Sequence, residues 1–159
     1  MHDSSFVMFE DDASRIQAVV DRLLRDALAN VVFVVDKSGQ LLASAGSTEA
    51  MDTTSLASLT AGNVAATGGI ANLLRENEFS TQFHEGEHAN VHIQLVGKRV
   101  ILVVIFDHRS SLGLVRLRVK RANEELEQLL QSMVSKMDDE SVHEHFSEIS
   151  DEEIDRLFS

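Results

Sequence analysis

This sequence of 159 residues contains no cysteine, proline, tryptophan or tyrosine, and the first absence is the most restrictive. Without cysteine the chain has no disulfide, thiol nucleophile or thiolate zinc site, which agrees with a reducing cytoplasm. The longest apolar run, Val100–Phe106, is too short to cross a bilayer. The acidic N-terminus also lacks the basic region of a secretory signal. We therefore expect a cytoplasmic protein without membrane insertion.

Basic residues are also scarce. Lysine and arginine number 14 against 26 aspartates and glutamates, a formal net charge of −12. Because nucleic-acid phosphates require a basic surface, we expect no nucleic-acid partner. The charge is uneven, since residues 138–159 hold nine carboxylates and one arginine, or −8, which leaves −4 for residues 1–137. This shift predicts one folded domain over residues 1–137 and a mobile acidic tail over residues 138–159.

The tail contains one ordered pattern. Ser150 and Glu153 form a capping box, and Ile154, Leu157 and Phe158 would lie on one side of the helix that follows. Such a short helix is marginal alone, so we expect it to fold on a partner. The alternative is a tail that only keeps the chain soluble.

Hydrophobic spacing divides the remainder into alternating elements. The pattern predicts helices over residues 11–29, 52–75 and from 112 onward, a hairpin over residues 31–46, and strands over residues 78–84, 91–95 and 99–106. Lys37, Ser38 and Gly39 form the hairpin turn. Hairpin and meander connections imply an antiparallel sheet, and helices on both sides of it predict a three-layer α+β sandwich.

The helix over residues 52–75 carries no charge between its two ends and has two non-polar sides. We expect its larger residues to face the core: Leu56, Leu59, Ala66, Ile70, Leu73 and Leu74. We expect its small residues to face outward: Ala57, Ala61, Ala65, Gly68 and Gly69. An uncharged outer surface is typical of a contact with a partner or a second copy; burial on both sides within one domain is the alternative. Asn63 is predicted to lie inward, bonded to the backbone or fixing the register of a dimer.

No catalytic constellation is present in the sequence. His84, Glu85 and His88 match the H-E-x-x-H pattern, but they fall on a strand end and a turn around Gly86, so a solvated polar turn is favoured over a metal site. The glycine-rich stretch 62–69 lies inside a helical pattern and lacks the lysine of a phosphate loop. We expect no catalytic residue, no metal ligand and no cofactor.

A basic cluster opens the last helix. Its members are Arg116, Arg118, Lys120 and Arg121, and Glu124, Glu125 and Glu127 follow within ion-pair spacing. The cluster is either a salt-bridged outer face or a docking point for an acidic segment such as the chain's own tail.

Three segments together resemble the roadblock (dynein light chain) family, most closely its bacterial members that regulate a Ras-like polarity GTPase of the MglA type. They are VVFVVDKSGQLLASAG, TTSLASLTAGNVAATGGIANL and VVIFDHRSSLGLVRLRVKRA, within a match that covers about residues 7–133. The resemblance implies a roadblock/longin-like sheet of five antiparallel strands in the order 2-1-5-4-3. The middle helix would cover one face and the two terminal helices the other.

The resemblance also implies a function. Two copies of the chain would form a homodimer that binds one MglA-like GTPase in its GTP-bound state and speeds GTP hydrolysis, and so sets cell polarity and motility. Family members of this type supply no arginine finger, because the GTPase uses its own arginine and glutamine. The chain would be a regulator, not an enzyme, and would act in the cytoplasm, at a cell pole. The alternative is a roadblock scaffold with no effect on hydrolysis.

The implied site residues lie mainly on the middle helix. The surface facing the GTPase would comprise Ala61, Val64, Ala65, Gly68, Gly69 and Asn72. The dimer contact would comprise Ala57, Ser58, Ala61, Gly62, Ala65, Phe79, Thr81 and Phe83, which joins the helix to the third strand. The tail would add a GTPase contact through Ile154, Leu157 and Phe158.

Overall fold

A computed structural model describes residues 10–49 and 51–148. Side chains are described as far as Ser135. The elements are α1 (Glu10–Asp26), β1 (Val31–Asp36), β2 (Leu41–Gly46), α2 (Thr53–Leu73), β3 (Thr81–Glu85), β4 (Asn90–Val96), β5 (Val100–Phe106) and α3 (Leu112–Glu148). They form the α+β sandwich that the sequence predicts. Among the described residues, no helix is long and apolar enough to cross a membrane.

The five strands make one antiparallel sheet in the order β2-β1-β5-β4-β3, which confirms the expected topology. β1 lies between β2 and β5, and all six of its residues are buried. The turn into β2 is organised by Asp36, whose Oδ1 accepts hydrogen bonds from the Ser38 and Gln40 N–H groups at 3.0 and 2.9 Å. Gly39 has φ +95°, a left-handed conformation that glycine adopts without strain.

Helices α1 and α3 cover one face of the sheet with large side chains. Ile16, Val20 and Leu23 of α1 pack with Leu126 and Met133 of α3 over the inward residues of the central strands. In α3 the buried residues Val115, Val119, Leu126 and Met133 recur at helical spacing, so they form one continuous stripe. Burial of each large aliphatic side chain contributes about 1.5–3 kcal/mol, so this layer forms the larger core.

Helix α2 covers the other face, and its predicted orientation is wrong for most of its large residues, although Leu56 packs against the sheet and Ala65 and Gly69 lie outside as expected. Ala57, Ala61 and Val64 pack against the sheet, whereas Leu59 and Leu73 are 71% and 86% exposed. Ile70 and Leu74 also lie outside. Small side chains allow the α2 backbone to approach the sheet closely, and hydrophobic spacing alone does not reveal which of two apolar sides is turned inward.

Three boundaries differ by three residues or more from those expected, and the first is the end of α1, which lies at Asp26 instead of residue 29. Strand β3 begins at Thr81 instead of residue 78, because pairing with β4 starts where the Leu95 N–H donates to the Ser80 carbonyl oxygen at 2.8 Å. Helix α3 continues to Glu148, beyond residue 137 where the composition changes. The mobility of the tail stays a prediction, and its candidate residues Ile154, Leu157 and Phe158 lie outside the described residues.

Candidate functional site

The outward side of α2 carries an apolar stripe, which we define as Leu59, Ala66, Ile70 and Leu73. These residues recur at helical spacing and lie opposite the sheet-facing side of α2. Three of them are large side chains that remain 51–86% exposed. A contiguous apolar surface of this kind marks an interaction site.

A groove of small residues runs along one flank of α2. It has a volume of about 460 Å³ and is lined by Lys37, Ala61, Val64, Ala65, Gly68, Gly69, Asn72 and Glu78. A methyl group added at Gly68 or Gly69 would meet no atom within 4 Å outside its own helix backbone. These glycines are therefore not required by the packing of the chain itself, and they leave the α2 backbone open to an approaching surface.

All six residues expected to face the GTPase line this groove. Ala61 and Val64 form its buried floor, Gly68 is half-buried, and Ala65, Gly69 and Asn72 are exposed. The side chain of Lys37 closes an ion pair with Glu78, with Nζ 2.5 Å from Oε1. The structure thus brings the predicted set together on one surface.

The residues expected at the dimer contact do not all reach the surface. Ala57 lies on the sheet-facing side of α2 and is only 1% exposed, so it is not available to a second subunit. Phe83 is half-buried and stacks on Phe106, with ring centroids 6.1 Å apart. Phe79 lies exposed in the segment before β3.

Ser58, Gly62 and Ala65 are exposed along the groove flank, and Thr81 is exposed on β3. Leu59, Ile70 and Leu73 are surface residues, although their spacing predicted that they would lie in the core. The long uncharged run was the one signal that α2 meets more than its own sheet.

Strand β3 and α2 are held together at the edge of the sheet. Gln82 of β3 donates from Nε2 to the Thr67 hydroxyl of α2 at 3.0 Å. Within the described residues β3 pairs only with β4, so its other edge has unpaired backbone groups. Asn63 is half-buried on α2, and its Oδ1 has no hydrogen-bond partner in this part of the chain. Among the described residues, the outer edge of β3 and the adjoining α2 therefore offer one surface with backbone groups and an amide oxygen that lack hydrogen-bond partners.

The basic cluster at the start of α3 divides into two parts. Arg121 pairs with Glu125, whose other oxygen binds Arg22 of α1. Arg116 and Lys120 instead line a depression that contains His92. The His92 side chain is 1% exposed, and burial lowers its pKa; Gln94 acts against this effect and the Arg116 charge adds to it.

Residues between β5 and α3 perform a structural task. Asp107 accepts hydrogen bonds from Asn30 Nδ2 and from the Arg109 backbone and Nε, at 3.0, 3.0 and 3.1 Å. The hydrogen bond from Asn30 contributes most, and with those from Arg109 it holds the pKa of the Asp107 carboxyl far below its usual value. Arg109 is consequently tied to its own loop.

The H-E-x-x-H pattern lies on the end of β3 and the following turn, as predicted, where the Gly86 N–H donates to the Ala89 carbonyl oxygen at 3.0 Å. His84 and His88 are exposed there. The described residues contain no group of three His, Cys, Asp or Glu able to hold a metal ion. The stretch 62–69 is helical throughout, so its N–H groups are directed along α2 instead of forming a phosphate cradle.

Comparisons with known proteins agree with this architecture. A family model described as the Roadblock/LC7 domain matches residues 15–106. No curated protein matches the chain. The chain is 61% identical to Myxococcus xanthus MglB, with a TM-score of 0.77 over 80% of this chain and 96% of that one.

Two further solved structures are similar. The gliding protein MglB from Thermus thermophilus is 32% identical, with a TM-score of 0.76 over 82% of this chain and 99% of that one. An MglB with a tetrameric arrangement is 30% identical, with a TM-score of 0.77 over 83% and 99% of the two chains. The chain therefore belongs to the Roadblock/LC7 domain family and, within it, to the MglB proteins.

Proposed function

We propose that the chain is a homodimeric GTPase-activating protein for an MglA-like GTPase in its GTP-bound state. The observation that carries the proposal is the small-residue groove on α2, which gathers all six residues expected to face the GTPase. Membership of the MglB proteins supports the choice of partner. The chain would act as a regulator, with the chemistry performed by the GTPase.

The apolar stripe and the β3 edge support self-association. Full burial of a leucine or isoleucine side chain contributes about 1.5–3 kcal/mol, so covering Leu59, Ile70 and Leu73 offsets a substantial part of the cost of association. Pairing of two β3 edges would satisfy their open backbone groups. A two-fold contact of this kind places two α2 helices side by side.

This arrangement separates the two tasks of α2. The stripe would serve the dimer, and the groove on the flank would serve the GTPase. Ser58, Gly62 and Thr81 would lie at the margin of the dimer contact. Two grooves brought together in one dimer suit two copies of the chain per GTPase.

Stimulation without an arginine finger agrees with the charges near the groove. Among the described residues that line it, the cation is Lys37, which is paired with Glu78. Arg109 follows β5, far from α2 in the sequence. Its side chain is paired with Asp107 instead of with a residue of α2. The chain would accelerate hydrolysis by binding the active arrangement of the GTPase more tightly than the inactive one.

A GTP turnover assay with an MglA-like GTPase tests the proposal. We expect the full chain to accelerate turnover, and Ala65→Arg or Gly69→Arg to abolish the acceleration while the protein stays folded. Gly113→Arg is the matched control, because Gly113 is also helical and has open space around its Cβ position. Binding without faster turnover would instead identify a roadblock scaffold, and undiminished stimulation by both groove variants would remove the groove from the contact.

The tail would add a second contact with the GTPase through Ile154, Leu157 and Phe158. Truncation after Glu148 should weaken binding of the GTPase and leave the dimer unchanged, as measured by calorimetry and sedimentation. Equal binding by the truncated chain would leave the tail a solubilising segment. We also propose that the complex acts in the cytoplasm at a cell pole, which imaging of a fluorescent fusion tests.

A further inference from the structure

A second concave surface lies on the opposite face of the sheet from the groove, between α3 and the β3–β4 edge. It has a volume of about 310 Å³ and is lined by Thr81, His92, Gln94, Arg116, Lys120 and Asn123. Arg116 and Lys120 are one helical turn apart on α3, and both are exposed. Two cations therefore border one depression.

Among the described residues, no carboxylate lines this depression. In the same part of the chain Arg116 and Lys120 have no ion pair with an acid, whereas Arg121 and Arg22 pair with Glu125. Of the acids that follow in α3, Glu125 is thus engaged with Arg22 and Arg121. The two bordering cations supply a local charge that suits a dianion.

His92 gives independent evidence of a missing ligand. Its side chain is 1% exposed at the depression, and in the described part of the chain neither buried ring nitrogen has a partner at full hydrogen-bond geometry, although the Gln94 side chain lies close enough to raise its pKa. Buried polar atoms are nearly always partnered, so an unpartnered ring at the base of a basic depression indicates an absent group. At the mouth the Thr81 hydroxyl donates to Gln94 Oε1 at 3.1 Å, so the lining side chains of the two strands are held to each other.

We propose that this depression binds a dianionic phosphate group, either inorganic phosphate or the phosphate of a small metabolite. The Arg116 guanidinium matches two phosphate oxygens in a bidentate contact, and Lys120 supplies the second charge. His92 would donate from one ring nitrogen to the deepest oxygen. The proposal does not depend on the proposed GTPase regulation, because the groove is on the other face of the sheet.

Residues 149–159 of the same chain are too short to reach this site. From Lys120 to Glu148 the helix α3 extends roughly 42 Å, at 1.5 Å per residue. The eleven residues 149–159 span at most about 36–40 Å when fully extended. Within one chain, they therefore fall short of the depression while α3 is continuous.

Calorimetry and NMR titration of the full chain test the proposal, with inorganic phosphate and glycerol phosphate as probes at constant ionic strength. We expect saturable binding that Lys120→Gln or Arg116→Gln weakens by about tenfold or more, the typical effect of losing one charge-assisted hydrogen bond. Arg121→Gln is the matched control, since it removes the same charge from a residue that faces Glu125. A shift of the His92 ring resonances on phosphate addition is also expected. Tighter binding of glycerol phosphate than of phosphate would identify a metabolite as the source.

Three results would overturn the proposal. The first is the absence of saturable phosphate binding, and the second is equal weakening by Arg121→Gln, which reveals only charge screening. The third is displacement of phosphate by a peptide of residues 138–159 that binds more tightly and loses its affinity in Lys120→Gln, because the occupant would then be an acidic protein segment.

Discussion

The two faces of the sheet are covered in opposite ways. Under α1 and α3, large side chains such as Leu126 and Phe106 are sealed against the strands. Under α2, mainly alanines and a valine meet the strands, and Leu59, Leu73 and Leu74 point away from them. The layer formed by α1 and α3 buries its large side chains in a core. The layer formed by α2 covers the sheet with small side chains and leaves its largest side chains exposed to another surface.

This difference explains why amphipathicity does not predict the orientation of α2. A helix that serves one core concentrates its large residues on that core. A helix that meets a sheet on one side and a partner on the other divides them, and close approach to the sheet favours the small residues there. Four measurements test that division, from the largest expected effect to the smallest.

The largest contrast is expected between matched truncations in the two layers. Leu126→Ala should lower the free energy of unfolding by about 2–5 kcal/mol, because it leaves a cavity in the sealed layer. Leu73→Ala should change it little in protein dilute enough to be monomeric, because Leu73 is 86% exposed. Urea denaturation measures both values, and similar losses would mean that Leu73 is covered within one chain.

Self-association should respond in the reverse order. Leu73→Ser should weaken the dimer by about 1.5–3 kcal/mol, or roughly tenfold to a hundredfold in Kd, since it removes apolar surface from the contact. Leu117→Ser is the control, because Leu117 is 61% exposed on α3. Sedimentation equilibrium measures the dissociation constant of the dimer for both variants. A dimer that tolerates Leu73→Ser but is lost in Leu117→Ser would assign the contact to the layer formed by α1 and α3.

The glycines of α2 allow a finer test. Gly69→Ala should stabilise the chain by about 0.4–1 kcal/mol, because alanine costs less backbone entropy in a helix and its methyl group meets no neighbour. The same methyl group should reduce stimulation of the GTPase by narrowing the groove. Gly113→Ala is the control for stimulation and should leave it unchanged. Loss of stability in Gly69→Ala would show that α2 packs more tightly there than we describe.

The smallest effect concerns pH and the α3 side of the sheet. Burial lowers the pKa of His92, so the unfolded chain binds more protons than the folded one below the ordinary histidine value of about 6.5. Stability should therefore fall as the pH falls through that value. His92→Gln should flatten the dependence between about pH 7.5 and 5.5, measured by urea midpoints, and an unchanged dependence would contradict this account. The lowered pKa of Asp107 acts only in the more acidic carboxyl range.

Element order and layer arrangement were accessible from the sequence because each depends on local signals. Alternation, the turn at Gly39 and the helical spacing of α3 were sufficient to define the sandwich. The family resemblance supplied the strand order, which local patterns do not contain. The start of β3 was misplaced because residues 78–80 alternate like a strand yet precede its pairing with β4.

The candidate site was predictable in its location but not in its orientation. Ala61, Ala65 and Gly69 were selected because they are small and uncharged, and they do line one groove. Their neighbour Ala57 has the same chemistry and is buried, since only the rotation of α2 about its axis separates the two fates. That rotation depends on contacts with β1 and β2, which sequence spacing does not encode.

The open edge of β3 has a consequence for assembly size. An antiparallel contact between two such edges consumes both of them and leaves nothing at the junction for a third chain to pair with. The joined sheet would then contain ten strands, with a β2 strand at each end. Two-fold closure would thus remove β3 as a site of further lateral pairing, the hazard that an exposed strand otherwise creates.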